Sequence, residues 1–200
     1  QLLETGSVFD IYINNELFGH FDIPLYGTHM VLNAAAAITI ARELGLNPEQ
    51  IHKLLETFHN AKRRFAETKI NNCVIIDDYA HHPTEIKVTL EAVKQKYPNK
   101  RLVVVFVPNT YSRTKDFKNE FIDAFSIADK TYLTEIDCNR ERQEDYPGIT
   151  SHIIVDNLKN GDMISIDTID KLKEEKDSVV CFMSCAYVDN LIDSFKNLIK

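Results

Sequence analysis

The chain has 200 residues, of which 44% are hydrophobic and 26% charged, a balance that belongs to globular proteins able to bury a core. Its formal net charge of −7 offers no basic field of the kind that draws nucleic acid or an anionic membrane, so neither is expected as a partner. No apolar run approaches the roughly 20 residues of a membrane span, and a cytoplasmic location is expected.

Gln1 leads directly into strand-like sequence, which reads as a fragment of a longer polypeptide. Residues 8–13 and 17–23 alternate apolar and polar around Asn14-Asn15, the pattern of a β-hairpin. Pro24 and Gly27 end it. A helix then runs from His29 through four consecutive alanines to a stop at Gly45. Asn47-Pro48-Glu49-Gln50 predicts a second helix, with Asn47 as N-cap, Pro48 at the first position and Gln50 closing a capping box.

After Lys62-Arg63-Arg64-Phe65 the rhythm changes. Residues 65–70 and 73–76 predict a second hairpin. Strands at 101–107, 131–134, 163–166 and 179–183 then alternate with helices at 115–125, 151–158, 169–175 and 187–199. That alternation predicts an α/β fold with a mostly parallel sheet covered on both faces.

The densest chemistry lies in residues 74–85, Val-Ile-Ile-Asp-Asp-Tyr-Ala-His-His-Pro-Thr-Glu. They read as a buried strand, a polar loop and the first turn of a helix. Loops leaving the carboxyl ends of parallel strands are where such sheets bind ligands. Either aspartate or either histidine alone is accounted for by helix capping. Asp77, Asp78, Tyr79, His81 and His82 together are more than a cap needs, so the cluster is read as a site. A second loop, residues 108–114, surrounds Arg113 with the hydroxyls of Thr110, Tyr111, Ser112 and Thr114. Arginine grips carboxylate or phosphate with two parallel hydrogen bonds, and a helix N-terminus there adds positive potential. Cys73, Cys138, Cys181 and Cys185 form no zinc-ligand pattern and read as reduced thiols. His81 and His82, adjacent at a helix start, point in different directions and make a poor chelating pair. No metal site is therefore assigned to these residues.

Five motifs in order carry a resemblance to the Mur ligases, ATP-dependent amide-forming enzymes of peptidoglycan precursor synthesis. They are Gly27-x-His29-x-x-x-Asn33-Ala34, Lys62-Arg63-Arg64-Phe65, the nine residues from Asp77 to Glu85, Thr110-Tyr111-Ser112-Arg113-Thr114, and Arg140-Glu141 followed by Pro147-Gly148. The Asp-Asp-Tyr-Ala-His-His-Pro-Thr-Glu run is highly specific, and its spacing to Tyr-Ser-Arg-Thr resembles the branch that adds L-alanine to UDP-N-acetylmuramate.

The resemblance implies that residues 1–66 are the C-terminal part of a central ATP-binding domain. Residues 67–200 would be the Rossmann-like C-terminal domain, which handles the amino acid and ATP. The missing N-terminal and central portions of the same chain would be its partners, and they would carry the phosphate loop and most magnesium ligands. On that basis the 200 residues alone are expected to show no turnover. By the same resemblance His29, Asn33, Arg64 and Asp78 would bind ATP, with Asn33 at the adenine, Asp78 at the ribose and Arg64 at the phosphates. Tyr79, His81, Asn109, Thr110 and Arg113 would face the amino acid, and Tyr79, His81 and Arg113 would serve the reaction. ATP and Mg2+ are the implied cofactors, and UDP-N-acetylmuramate and L-alanine the implied substrates.

Three positions depart from the family pattern. Met30 stands where an asparagine is usual, Asn109 where a histidine is usual, and Ser184-Cys185-Ala186-Tyr187 where a glycine-rich run is usual. A sister ligase attaching a recycled peptide or another amino acid to the same sugar nucleotide, or a diverged non-catalytic binding module on the same fold, are the alternative readings.

Overall fold

A computed structural model describes residues 1–200, which divide into two compact units: Gln1–Asn60 with Glu91–Pro98, and Ala61–Leu90 with Asn99–Lys200. Residues 61–66 therefore lie with the second unit.

The first unit contains a three-stranded antiparallel sheet, β1 (Leu2–Leu3), β2 (Gly6–Ile13) and β3 (Glu16–Ile23). Asn14 and Asn15 both take positive φ, 52° and 65°, as a tight two-residue hairpin turn requires. Helices α1 (Thr28–Glu43) and α2 (Pro48–Glu56) follow. The capping box of α2 is complete: Asn47 Oδ1 accepts from Gln50 N at 2.9 Å, and Gln50 Oε1 accepts from Asn47 N at 3.0 Å. A small core gathers Phe21, Ile23, Leu25, Ala34, Ile38 and Ile51. Of the four consecutive alanines in α1 only Ala34 is buried.

The second unit is a six-stranded sheet in the order β4-β5-β9-β6-β7-β8. Its strands are β4 (Ala66–Ile70), β5 (Cys73–Asp78), β6 (Leu102–Phe106), β7 (Lys130–Leu133), β8 (Gly161–Met163) and β9 (Val179–Met183). Only β4 runs antiparallel; the other neighbours pair in parallel. Helices α3 (Pro83–Lys96), α4 (Tyr111–Asp116), α5 (Lys118–Phe125), α6 (His152–Val155) and α7 (Asp189–Leu198) occupy the connections.

Every residue of β6 and β9 is buried, the signature of parallel strands covered on both faces. On one face Val103, Val105, Val180 and Phe182 pack with Leu172, Ile192 and Phe195. On the other, Phe106 meets Phe121 and Phe125 of α5 at ring-centroid distances of 5.4 and 5.3 Å.

Four expected elements come out differently. The helix expected at 115–125 begins at Tyr111 and is split at Phe117, whose φ/ψ of −112°/26° breaks it. The Phe117 ring packs instead against His82, 4.7 Å between centroids. The strand expected at 163–166 is β8, two residues earlier, because Ile166 is exposed and opens a 3-10 helix. Gly161 fits there because a Cβ would lie 2.6 Å from Val155 O. The helix expected at 169–175 is the 3-10 run Ile166–Glu175, started by a Ser165–Thr168 capping box. The helix expected over 151–158 is only the single turn of α6.

Candidate functional site

Because β5, β9 and β6 are consecutive in the sheet, the loops leaving their carboxyl ends are neighbours. Ser184, just after β9, ties them together. Its amide donates to Asp78 O (3.2 Å), its hydroxyl donates to Val107 O (2.8 Å), and its carbonyl accepts from Arg63 Nη2 (2.7 Å). Ser184 is fully buried. Nothing local in the sequence marks a serine that bridges three loops.

The segment before β4 is locked onto the same edge. Arg63 and Phe65 take positive φ, 57° and 52°, a conformation that costs non-glycine residues energy and persists where surroundings enforce it. Here the surroundings are the two aspartates. Arg63 Nε reaches Asp77 Oδ1 at 3.2 Å, and Phe65 N donates to Asp78 Oδ2 at 2.7 Å. Asp78 Oδ1 also accepts from Ala80 N at 2.8 Å. Asp78 is 4% exposed. Burial pushes its carboxyl above the usual range, against the pull of the Ala80 and Phe65 amides and the Arg64 charge. Asp78 is thus a latch of the fold, whatever else it contacts.

Tyr79 follows, partly exposed, with the guanidinium carbons of both Arg63 and Arg64 at 5.4 Å from its ring centroid. Such contacts are worth roughly 0.5–1 kcal/mol each at exposed sites. Arg64, the residue expected at the ATP phosphates, is exposed and so presents its charge to solvent beside Tyr79. The His81 ring stands edge-on to Tyr79, 5.4 Å away. Its Nδ1 lies 2.9 Å from Tyr79 O. A carbonyl only accepts, so Nδ1 carries a proton, and Glu85 Oε2 lies 3.3 Å from the same nitrogen. His82 does something else: its Nδ1 accepts from Thr84 N at 3.3 Å in the manner of a cap. The two histidine rings have separate neighbours.

Glu85 organises this loop. Its Oε2 accepts from His81 N (3.0 Å) and His82 N (3.2 Å). Burial raises its pKa, but those amides and the charges of His81 and Arg64 outweigh that, so the carboxyl sits below its usual range. A carboxyl with a depressed folded pKa contributes stability above its unfolded pKa, near 4.3, and loses it as pH falls through the folded value. Glu85→Gln is therefore expected to lower stability at pH 7, and the deficit is expected to be smaller at about pH 3. Urea unfolding of both proteins at the two pH values measures this. A deficit independent of pH would show that the Glu85 charge is idle.

In the second loop, Arg113 is half-buried in the first turn of α4, and its Nη1 donates to Asn109 Oδ1 at 2.9 Å. The expected ring of hydroxyls around it does not form. Ser112 Oγ donates to Glu141, Thr114 Oγ1 donates to Thr110 O at 2.7 Å, and the Tyr111 ring stacks on Tyr146, 5.9 Å away. Thr110 Oγ1 is buried and pairs with no protein group. Asn109, Thr110 and Arg113 are brought together; the other hydroxyls have structural duties.

The remaining expected site residues, His29 and Asn33, belong to α1 of the first unit. His29 is half-buried, while Asn33 is exposed, and its Nδ2 lies 3.9 Å from Met30 Sδ.

A mostly parallel sheet covered on both faces, with arginines and a histidine at its carboxyl edge, is a domain of the Rossmann-like class, and that edge is where such sheets bind ligands. Residues 62–184 match the family model described as Mur ligase, glutamate ligase domain, and the chain belongs to that family. Among solved structures it is similar to the UDP-N-acetylmuramate-alanine ligase MurC of Thermotoga maritima, with 23% identity, a TM-score of 0.76, and coverage of 99% of this chain and 43% of that one. It is similar also to MurF of Acinetobacter baumannii, with 19% identity, a TM-score of 0.73, and coverage of 98% and 43%. MurF ligase of Thermotoga maritima, solved in complex with ADP, matches at 20% identity with a TM-score of 0.67, covering 98% and 44%. The chain spans less than half the length of these ligases. No helix is long and apolar enough to cross a membrane.

Proposed function

We propose that these residues are part of an ATP-dependent ligase that adds L-alanine to UDP-N-acetylmuramate, in peptidoglycan precursor synthesis. The observation that carries this reading is Arg113, held by Asn109 beside Thr110 on the carboxyl edge of a Mur ligase family domain. A guanidinium with one nitrogen anchored and the rest available is suited to gripping the carboxylate of a free amino acid.

In this reading the sugar's carboxylate takes the γ-phosphoryl group of ATP, giving an acyl phosphate and ADP. The amine of alanine then attacks the acyl carbon and releases phosphate. Magnesium would neutralise charge on the transferring phosphoryl group; its ligands are assigned outside the residues described. Arg113 holds the amino acid by its carboxylate, so that the amine is oriented toward the acyl carbon. His81 takes the proton the amine must lose on Nε2, the ring nitrogen turned away from Tyr79 O, and Tyr79 shields that ring edge-on. Arg64 meets the ATP phosphates, Asp78 the ribose through lone pairs its two amide bonds leave over, and Asn33, with His29 near it, the adenine. Residues 1–66 then belong with the ATP-binding domain and 67–200 with the amino-acid-binding domain.

The test is phosphate release by the natural polypeptide that carries these residues, with UDP-N-acetylmuramate, ATP and magnesium. L-alanine, L-serine, glycine and the recycled tripeptide are supplied in turn. Release that depends on L-alanine is the expected result. Release with the tripeptide alone would move the protein to peptide recycling, and no release with any would leave a binding module on a ligase fold.

A further inference from the structure

Helix α4 begins without a cap of its own. Its N-cap residue, Thr110, is extended (φ −151°, ψ 140°) and makes no side-chain capping bond. The donors of the first turn are met from 29 residues away. Glu141 Oε2 accepts from Ser112 N at 3.0 Å, and Oε1 accepts from the Ser112 hydroxyl. The loop bearing Glu141 is itself fastened: Asp137 N donates to Pro108 O at 2.8 Å, and Glu141 N donates to Cys138 Sγ at 3.3 Å. One carboxylate thus joins the loop after β7 to the turn between β6 and α4, and Arg113 is the next residue along that turn.

Two consequences follow for the site. The backbone donors at the start of α4 already hold Glu141, so a substrate carboxylate is left to Arg113. And the placement of Arg113 depends on Glu141, because Asn109 fixes only one guanidinium nitrogen while the helix turn fixes where the side chain starts. We propose that Glu141 is a positioning residue for the amino acid: it caps α4 from outside and thereby sets Arg113 in place. This rests on the ligase reading above. The electrostatics agree. Burial raises the Glu141 pKa, but the Ser112 hydroxyl, the Ser112 and Tyr111 amides and the Arg113 charge lower it further, so the carboxyl sits below its usual range.

Glu141→Ala and Glu141→Gln, made in the natural polypeptide, test the proposal. In Glu141→Ala the KM for the amino acid is expected to rise about tenfold, the effect of losing one charge-assisted hydrogen bond. Its kcat and its KM for ATP are expected to stay within about twofold of wild type. Glu141→Gln keeps an acceptor for Ser112 N and is expected to raise the same KM only a few-fold. Amide exchange of residues 111–113 should quicken in the alanine variant. Faster exchange with an unchanged amino-acid KM would show a tether of purely structural value and overturn the proposal. Equal rises in both KM values would overturn it too. A wild-type enzyme that releases no phosphate with any amino acid would instead sink the ligase reading, and the role of Glu141 at the site with it.

Discussion

Arg113→Ala in the natural polypeptide is expected to raise the KM for the amino acid by roughly 10–100-fold, the value of hydrogen bonds between a guanidinium and a carboxylate. The KM for ATP is expected to move by no more than about twofold. The geometry explains both halves. Arg113 Nη1 is committed to Asn109 Oδ1, which orients the fork without neutralising it. The other guanidinium donors are what the variant removes from the ligand. Arg113→Lys keeps the charge but not the planar fork, and an intermediate KM is expected. Folding should be little affected, because Arg113 is only half-buried and Asn109, left behind, is too. Steady-state kinetics with each substrate varied in turn decides it. Equal effects on the amino acid and ATP would remove Arg113 from its assigned place.

Much of this site was legible because its signals are local. The run from Val74 to Glu85 joins a continuous apolar strand to a proline-started helix, and both come out as read, β5 and α3. The α2 capping box is legible for the same reason: donor and acceptor lie three residues apart. What escaped the sequence is contact across distance. Arg63 bonds Ser184 O across 121 residues and Glu141 bonds Ser112 across 29, and no period or propensity encodes either. The start of α4 was misplaced for that reason, since its cap comes from another loop. Phe117, read as one more apolar residue of a helix, breaks that helix to pack on His82. Tertiary packing overrides helix propensity there, as it commonly does.

Asp78→Ala is expected to produce the largest loss of stability of any change at this edge. It removes the carboxylate that accepts from the Phe65 and Ala80 amides, at a position that is 4% exposed. Each abandoned buried donor costs about 1–3 kcal/mol. Together they correspond to a fall of roughly 5–15 °C in the melting temperature of a chain of this length. Phe65 would also lose the bond that holds its positive φ. Asp78→Asn offers one acceptor where two are needed and is expected to fall between wild type and alanine. The pH dependence runs opposite to that of Glu85. A carboxyl whose folded pKa is raised by burial contributes stability fully below its unfolded pKa and loses it as pH rises through the folded value. The advantage of wild type over Asp78→Ala is therefore expected to be greatest in acid and to shrink toward neutrality, leaving the amide bonds as its residue. Thermal melts across pH 3–8 measure this. A wild-type advantage that grew toward neutral pH would mean that the Arg64 charge and the two amides outweigh burial at Asp78. The latch would then be an ion pair in character, not a buried acceptor.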